Sequence, residues 1–160
     1  MISKPASEMK YAWDKFINVN ASQEAGIVIC FDTESRILIL RRSDVDERAG
    51  QWTIPGGHID EEDASIEAGA ARELEEETGL KCLIDDLIYV GEPKPQKYYF
   101  IATKWTGTVD VLIPNPKTGE IEHDKYRWAT IEEIKDIDNS EIPIYLLEKV
   151  LEMSKNETNS

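Results

Sequence analysis

Four glutamates crowd the run Arg72-Glu73-Leu74-Glu75-Glu76-Glu77-Thr78-Gly79-Leu80. If the run is helical, a turn of about 100° per residue places Glu73, Glu76 and Glu77 on one arc and sends Glu75 elsewhere. Like charges three or four residues apart on a helix repel, and a bound cation is one way to offset that repulsion. Carboxylate oxygens are hard ligands, so the chemistry they suit is binding of Mg²⁺ or Mn²⁺. The ordinary alternative is a solvated acidic helix face, which an acidic chain produces readily.

The elements that must position these carboxylates can be read from the flanking sequence. Ser65 to Thr78 is rich in Ala, Glu and Leu, which predicts a helix ended by a left-handed cap at Gly79. Upstream, Trp52-Thr53-Ile54-Pro55-Gly56-Gly57 predicts a short extended piece, Gln51 to Ile54, running into a glycine turn. Gly56 and Gly57 are expected to take backbone conformations closed to other residues there. Glu24 to Phe31 and Arg36 to Arg41 read as strands joined by a hairpin turn at Asp32 to Ser35, and Ser43 to Gly50 as a loop. Leu80 to Val90, Tyr98 to Trp105 and Ile121 to Ala129 read as further strands, with a proline-containing loop from Gly107 to Gly119. Ile144, Leu147, Val150 and Leu151 have helical spacing within Glu141 to Met153, which predicts a closing amphipathic helix. Residues 1 to 20 read as an N-terminal helix or arm, with helical spacing of Met9, Trp13 and Phe16, residues 21 to 153 as the domain, and 154 to 160 as a disordered tail.

Composition narrows the function classes. With 160 residues, 41% of them hydrophobic and 31% charged, the chain has the content of one globular domain. Acidic residues outnumber basic ones 32 to 18, a net charge of -14 that disfavours long nucleic acids as partners. Small phosphorylated molecules remain accessible where divalent cations bridge them to carboxylates. No apolar run reaches the roughly 20 residues of a membrane span, and Met1 to Lys10 lacks a signal-peptide core, so a cytoplasmic setting is expected. Cys30 and Cys82 fall in strand patterns as small apolar residues, and two histidines, His58 and His123, leave no histidine-rich zinc set.

The segment from Gly56 to Leu80 resembles the signature of the Nudix hydrolases, in which a glycine and an upstream glutamate precede R-E-U-x-E-E-x-G-U, with U a bulky aliphatic residue. Arg72 to Leu80 matches the second half at every defined position. The first half departs from it. Asp63 stands where the upstream glutamate is expected, and eight residues rather than seven separate it from Arg72. Ser65 keeps the usual helix-start spacing, so the departure reads as one extra residue in the loop, with Asp63 or Glu62 supplying the carboxylate.

The resemblance implies a mixed α/β (α+β) sandwich, with a sheet between the signature helix and the closing helix. It implies an Mg²⁺- or Mn²⁺-dependent pyrophosphohydrolase acting on a nucleoside diphosphate linked to X. Glu73, Glu76 and Glu77 would be the metal ligands with the carbonyl of Gly56, and Arg72 would orient the glutamates. Family members often carry a glutamate upstream of a late tryptophan as ligand or general base. Glu122, six residues before Trp128, is the candidate, with His123 and Asp124 as substitutes. His58, Arg41 and Tyr98 are the candidate substrate contacts.

Pro95 and Tyr98 stand fifteen and eighteen residues beyond Leu80, counts that the family associates with ADP-ribose and with diadenosine polyphosphates respectively. An adenine derivative is therefore expected. The alternatives are a housecleaning nucleoside triphosphate pyrophosphohydrolase and a nucleotide-binding module without activity. A homodimer is left open.

Overall fold

The computed structural model describes residues 24 to 138 and 140 to 158, and side chains as far as residue 153. The expected N-terminal helix or arm lies outside the described residues. The strands are β1 (Ala25–Cys30), β2 (Ile37–Arg42), β3 (Trp52–Thr53), β4 (Gly56–His58), β5 (Leu87–Lys94), β6 (Lys97–Ala102) and β7 (His123–Ala129). The helices are α1 (Ile66–Thr78), α2 (Ile131–Lys135) and α3 (Ile144–Thr158), with a single 3₁₀ turn at Ile84–Asp86.

The strands form two sheets rather than the one expected. The four-stranded sheet has the order β4-β1-β6-β5 and is mixed, with β1 and β6 parallel and the other pairs antiparallel. The three-stranded sheet has the order β3-β2-β7 and is antiparallel. Consequently β1 and β2 do not form the expected paired hairpin. A turn held by Asp32 is present, its carboxylate accepting from the backbone of Glu34 and Arg36, but beyond the Phe31–Ile37 bridge the two strands enter different sheets. Six consecutive buried residues in β1 require cover on both faces, which one hairpin could not provide.

That cover comes from two apolar layers that alternation along the strands creates. Ala25, Ile27, Ile29, Ile37 and Ile39 pack with Ile131 and Ile134 of α2 and Leu146, Leu147 and Val150 of α3. Val28, Cys30, Leu38 and Leu40 pack with Ala70 and Leu74 of α1 and Phe100 of β6. The strands thus lie between α1 on one side and α2 and α3 on the other. The closing helix runs to Thr158, into the stretch read as a tail, because Ser154 to Thr158 contains no proline or glycine to stop it.

Local chemistry fixes α1. Ser65 caps its start, its side chain accepting from Ala68 N–H at 3.0 Å. Gly79, at φ 78°, ends it and donates its N–H to Glu75 at 2.9 Å. The helix presses onto β1 so closely that a Cβ on Gly26 would lie 2.7 Å from Ala70 Cβ. Glycine at 26 therefore sets how deeply α1 sits, and with it how near the glutamates come to the sheet edge.

Candidate active site

The carboxylates meet the four-stranded sheet at β4, its edge strand. The N–H of Gly56 does not join the ladder to β1 but donates to Glu77 Oε1 at 3.0 Å. A strand residue directs its carbonyl to the same edge as its own N–H, so the Gly56 carbonyl also faces the glutamates. A Cβ on Gly57 would fall 2.4 Å from the Glu73 carboxylate, which means that Glu73 lies against the bare Cα of that residue. Neither Gly56 nor Gly57 has a positive φ. Contrary to expectation, their requirement is for space: at Gly56 the added carbon would stand 2.6 Å from the Gly26 carbonyl oxygen.

Glu73, Glu76 and Glu77 line one small hollow together with Glu122, which immediately precedes β7 in the other sheet. Burial pushes Glu73 up to about 7; Arg72 opposes the shift, while Glu76 and Glu122 add to it. Glu77 is raised well above the ordinary carboxylate range by burial and by Glu73 and Glu122, with the Gly56 N–H and Arg42 opposing. These are desolvated like charges with insufficient counter-charge, in a site composed of oxygen donors. The donor set suits a hard divalent cation. Among the described residues, however, no three carboxylate, histidine or thiol groups are gathered into a preformed metal shell. Arg72 engages Glu76 at 3.0 Å and Glu73 at 3.2 Å.

Arg72 is the hub of the helix start. Its guanidinium grips Asp63 through two bonds of 2.9 and 3.0 Å and donates to the His58 carbonyl at 3.1 Å. The structure places Asp63 against this arginine and leaves Glu62 exposed. Asp63 also accepts from the Asp60 N–H at 2.8 Å, closing the loop that carries the extra residue. Burial alone would raise the Asp63 carboxyl, but its bonds to Arg72 and the Asp60 N–H bring it below its ordinary value.

A cleft of about 600 Å³ opens from the glutamates across one face of the four-stranded sheet. Its lining includes Glu73, Glu77, Glu122, Gly56 and His58. The lining also includes Arg42, Arg48, Lys94, Lys97 and Tyr99. The size is within the range of small-molecule sites. Glu141 bridges two of the cations, meeting Arg42 at 2.9 Å and Arg48 at 3.1 Å. His123 lies buried in the wall, where burial and Arg42 drive its imidazole down to about 4 and keep it neutral.

Two expected substrate contacts lie elsewhere. Tyr98 is not in the cleft; it packs with the α1-side core and donates to Glu24 at 3.1 Å. Its neighbour Tyr99 points to the opposite face and lines the cleft. Arg41 is likewise outside, paired with Asp124 at 2.8 and 3.0 Å, while Arg42 lines the cleft. The ladder slips here, Arg41 facing Lys125 and Arg42 facing His123, so Asp124 is an extra residue on β7. Such a bulge re-aims side chains, and it ties Asp124 to Arg41 on the outer surface. Pro95 begins the two-residue turn between β5 and β6 and is not part of the lining.

The sequence reasoning also missed Arg48, Lys94, Lys97 and Glu141. Arg48 and Glu141 are far apart in sequence and meet only in the fold. The lysine pair had a local signal, Lys94-Pro95-Gln96-Lys97, which reads as a tight turn flanked by like charges.

Cleft, edge-strand glycines and glutamate-bearing helix together form a carboxylate-rich candidate site, and comparison with known proteins identifies the family. The NUDIX domain model matches residues 22 to 149, and the chain belongs to the Nudix hydrolase family. An RNA pyrophosphohydrolase of Bartonella tribocorum is 29% identical over 121 residues, 64% of this chain and 69% of that protein. A bis(5'-nucleosyl)-tetraphosphatase (asymmetrical) of Mus musculus is 33% identical over 91 residues. That match covers 51% of this chain and 57% of the mouse protein's length. An ADP-ribose pyrophosphatase structure from Streptococcus suis superposes with a TM-score of 0.59 at 19% identity, covering 83% of this chain and 92% of that one. At that identity the likeness concerns the fold.

Proposed function

We propose that this protein hydrolyses the pyrophosphate bond of a nucleoside diphosphate linked to X with the help of Mg²⁺ or Mn²⁺, in a cytoplasmic setting. The observation that carries the reading is the meeting of Glu73, Glu76, Glu77 and Glu122 in one hollow, three of them (Glu73, Glu77 and Glu122) also lining a cleft that bears cations. Glu73, Glu76 and Glu77 would hold the metal with the Gly56 carbonyl. A divalent cation held there would supply positive charge to offset that of the substrate's phosphates.

The chain's own residues have separable tasks. Arg72, anchored by Asp63, orients Glu73 and Glu76. Glu122 lines the same hollow as these carboxylates, which supports a role for it in taking a proton from an attacking water. Arg42 and Arg48, held by Glu141, offer donors to phosphate oxygens, His58 adds a contact at the β4 end, and Tyr99 offers a ring to the base.

An adenine derivative such as ADP-ribose or a diadenosine polyphosphate is the substrate class we infer. The relatives' names, RNA pyrophosphohydrolase and bis(5'-nucleosyl)-tetraphosphatase, support hydrolysis of a phosphoanhydride bond. Pro95 and Tyr98 lie outside the cleft lining, so the choice of X rests on the cleft itself. Retention of Glu73, Glu76 and Glu77 favours hydrolysis over mere binding.

The test is a Mg²⁺-dependent phosphate-release panel of adenine dinucleotides, ADP-sugars and nucleoside triphosphates. Glu77→Gln should lower kcat/KM at least about 100-fold and weaken the Mg²⁺ requirement curve, with the fold intact by circular dichroism. A folded Glu77→Gln protein with wild-type turnover at limiting Mg²⁺ would refute the assignment. Wild-type preference for nucleoside triphosphates would replace the substrate class with the housecleaning one.

A further inference from the structure

The sheet register brings together a row of residues at one end of the cleft. Ala25 of β1 is opposite His58 of β4 on one side and Lys97 of β6 on the other, and Lys97 is opposite Lys94 of β5. All four line the cleft. Neighbouring strands lie about 4.8 Å apart, so the backbone positions of Lys97 and Lys94 are roughly 10 and 14 Å from β4 along the row. Ala25, with its small side chain, leaves a passage between His58 and Lys97.

Like charges directly opposite each other on adjacent strands destabilise a sheet. Lys94 and Lys97 form such a pair, and among the described residues neither makes an ion pair, although acidic residues outnumber basic ones 32 to 18. The other cations of the cleft are partnered: Arg42 with Asp46 and Glu141, Arg48 with Asp46 and Glu141, Lys117 with Asp60. The acid nearest in sequence, Glu92, is occupied in the turn, accepting from the Gln96 N–H at 2.6 Å. Glu92 raises the pKa of Tyr89 and Tyr98, which places it toward the opposite face of the sheet from the cleft. Two lysines paired across adjacent strands, both lining a cleft and neither in an ion pair among the described residues, leave room for an anion from outside.

We infer that Lys94 and Lys97 form a second anion-binding position, holding phosphate groups remote from the bond that is cleaved, so that the substrate is an extended polyphosphate rather than a diphosphate ending in a neutral sugar. The inference rests on the proposed hydrolase reading for the scissile end, but the lysine pair itself needs no metal. Dinucleoside polyphosphates with four or more phosphates, and polyphosphorylated nucleotides in general, share the required chemistry. ADP-ribose lacks it.

Two measurements on the full chain test this separately from hydrolysis. In metal-free buffer at constant ionic strength, inorganic tripolyphosphate at saturation should raise the Tm of the wild type by about 2–4 °C. The rise should vanish in Lys94→Gln/Lys97→Gln and persist in Lys94→Arg/Lys97→Arg. An equal rise in the Gln double variant, or none in the wild type, overturns the proposal whatever the enzyme cleaves.

With Mg²⁺, kcat/KM should increase from diadenosine triphosphate to diadenosine pentaphosphate in the wild type. The Gln double variant should flatten that ladder by roughly tenfold at the long end while leaving the triphosphate within about twofold. A Tm rise that depends on the lysines, without hydrolysis of any substrate, would keep the anion position and refute the hydrolase. Hydrolysis with an unflattened ladder would keep the hydrolase and refute the anion position.

Discussion

Replacing Gly57 by alanine separates the construction of the site from the stability of the fold. The added Cβ would stand 2.4 Å from both Cδ and Oε2 of Glu73, and contacts below about 3.0 Å do not persist. What must move is the end of a flexible side chain, only 16% exposed and tied to Arg72 at 3.2 Å. The strand cannot yield instead, because Gly57 pairs with Gly26, which is itself pinned beneath Ala70. Glu73 should therefore swing out by an ångström or more. Stability should change by less than about 1 kcal/mol, since the Glu73 carboxylate borders the open cleft and can relocate into water. A ligand displaced on that scale costs on the order of 100-fold in rate, so kcat/KM should fall by about that factor.

Gly26→Ala provides the contrast, because its Cβ would meet Ala70 Cβ at 2.7 Å and Ala70 Cα at 3.0 Å, where backbone must yield. It should cost about 1–3 kcal/mol of stability, read by urea denaturation. The assay is Mg²⁺-dependent phosphate release alongside urea midpoints for both variants. Loss of stability in Gly57→Ala equal to that of Gly26→Ala, with specific activity per folded molecule unchanged, would refute the placement of Glu73.

Three further outcomes are expected. Tyr99→Ala should raise KM about tenfold or more with kcat nearly constant, because a stacked base is held equally in ground and transition states, whereas Tyr98→Ala should lower Tm and leave KM alone; the reverse pattern in steady-state kinetics would invert the strand faces. Asp63→Ala should release Arg72 and reduce kcat at least about tenfold, while Glu62→Ala stays within about twofold, and equal effects would show that the loop carboxylates are interchangeable. His123 is held neutral in the folded protein down to about pH 4, whereas the unfolded chain takes up a proton near its ordinary value of 6.5. The unfolded state therefore binds more protons between those limits, and this group reduces stability as pH falls from about 6.5 to 4, by at most about 3 kcal/mol. The stability difference between wild type and His123→Gln should shrink over that range in urea titrations; a constant difference would mean that His123 is not buried neutral.

The signature helix was legible from the chain because every requirement for it is local. Ser65 caps it, Gly79 stops it, and the 3.6-residue period puts Glu73, Glu76 and Glu77 on one arc whatever surrounds them. Asp63 was legible as one of two candidates, since counting residues cannot decide which carboxylate of a loop meets Arg72. The strands were recognisable as strands, but which sheet each enters is a matter of long-range pairing, and so β1 and β2 were read as a hairpin when they part after one bridge.

Only the tertiary structure decided the substrate face. Strand side chains alternate with period two, so an assignment one residue out moves a side chain through the sheet: Tyr99 lines the cleft where Tyr98 was expected. The bulge at Asp124 does the same for the arginines, directing Arg42 to the cleft and binding Arg41 outside it. The cross-sheet row of His58, Ala25, Lys97 and Lys94 depends on the registers of three strand pairs at once, and no local pattern in the chain encodes such a row. Composition and short-range spacing thus determined the glutamate-bearing helix and the arc of its carboxylates, while the lining of the cleft arose from non-local pairings whose geometry exists only once the sheets have formed.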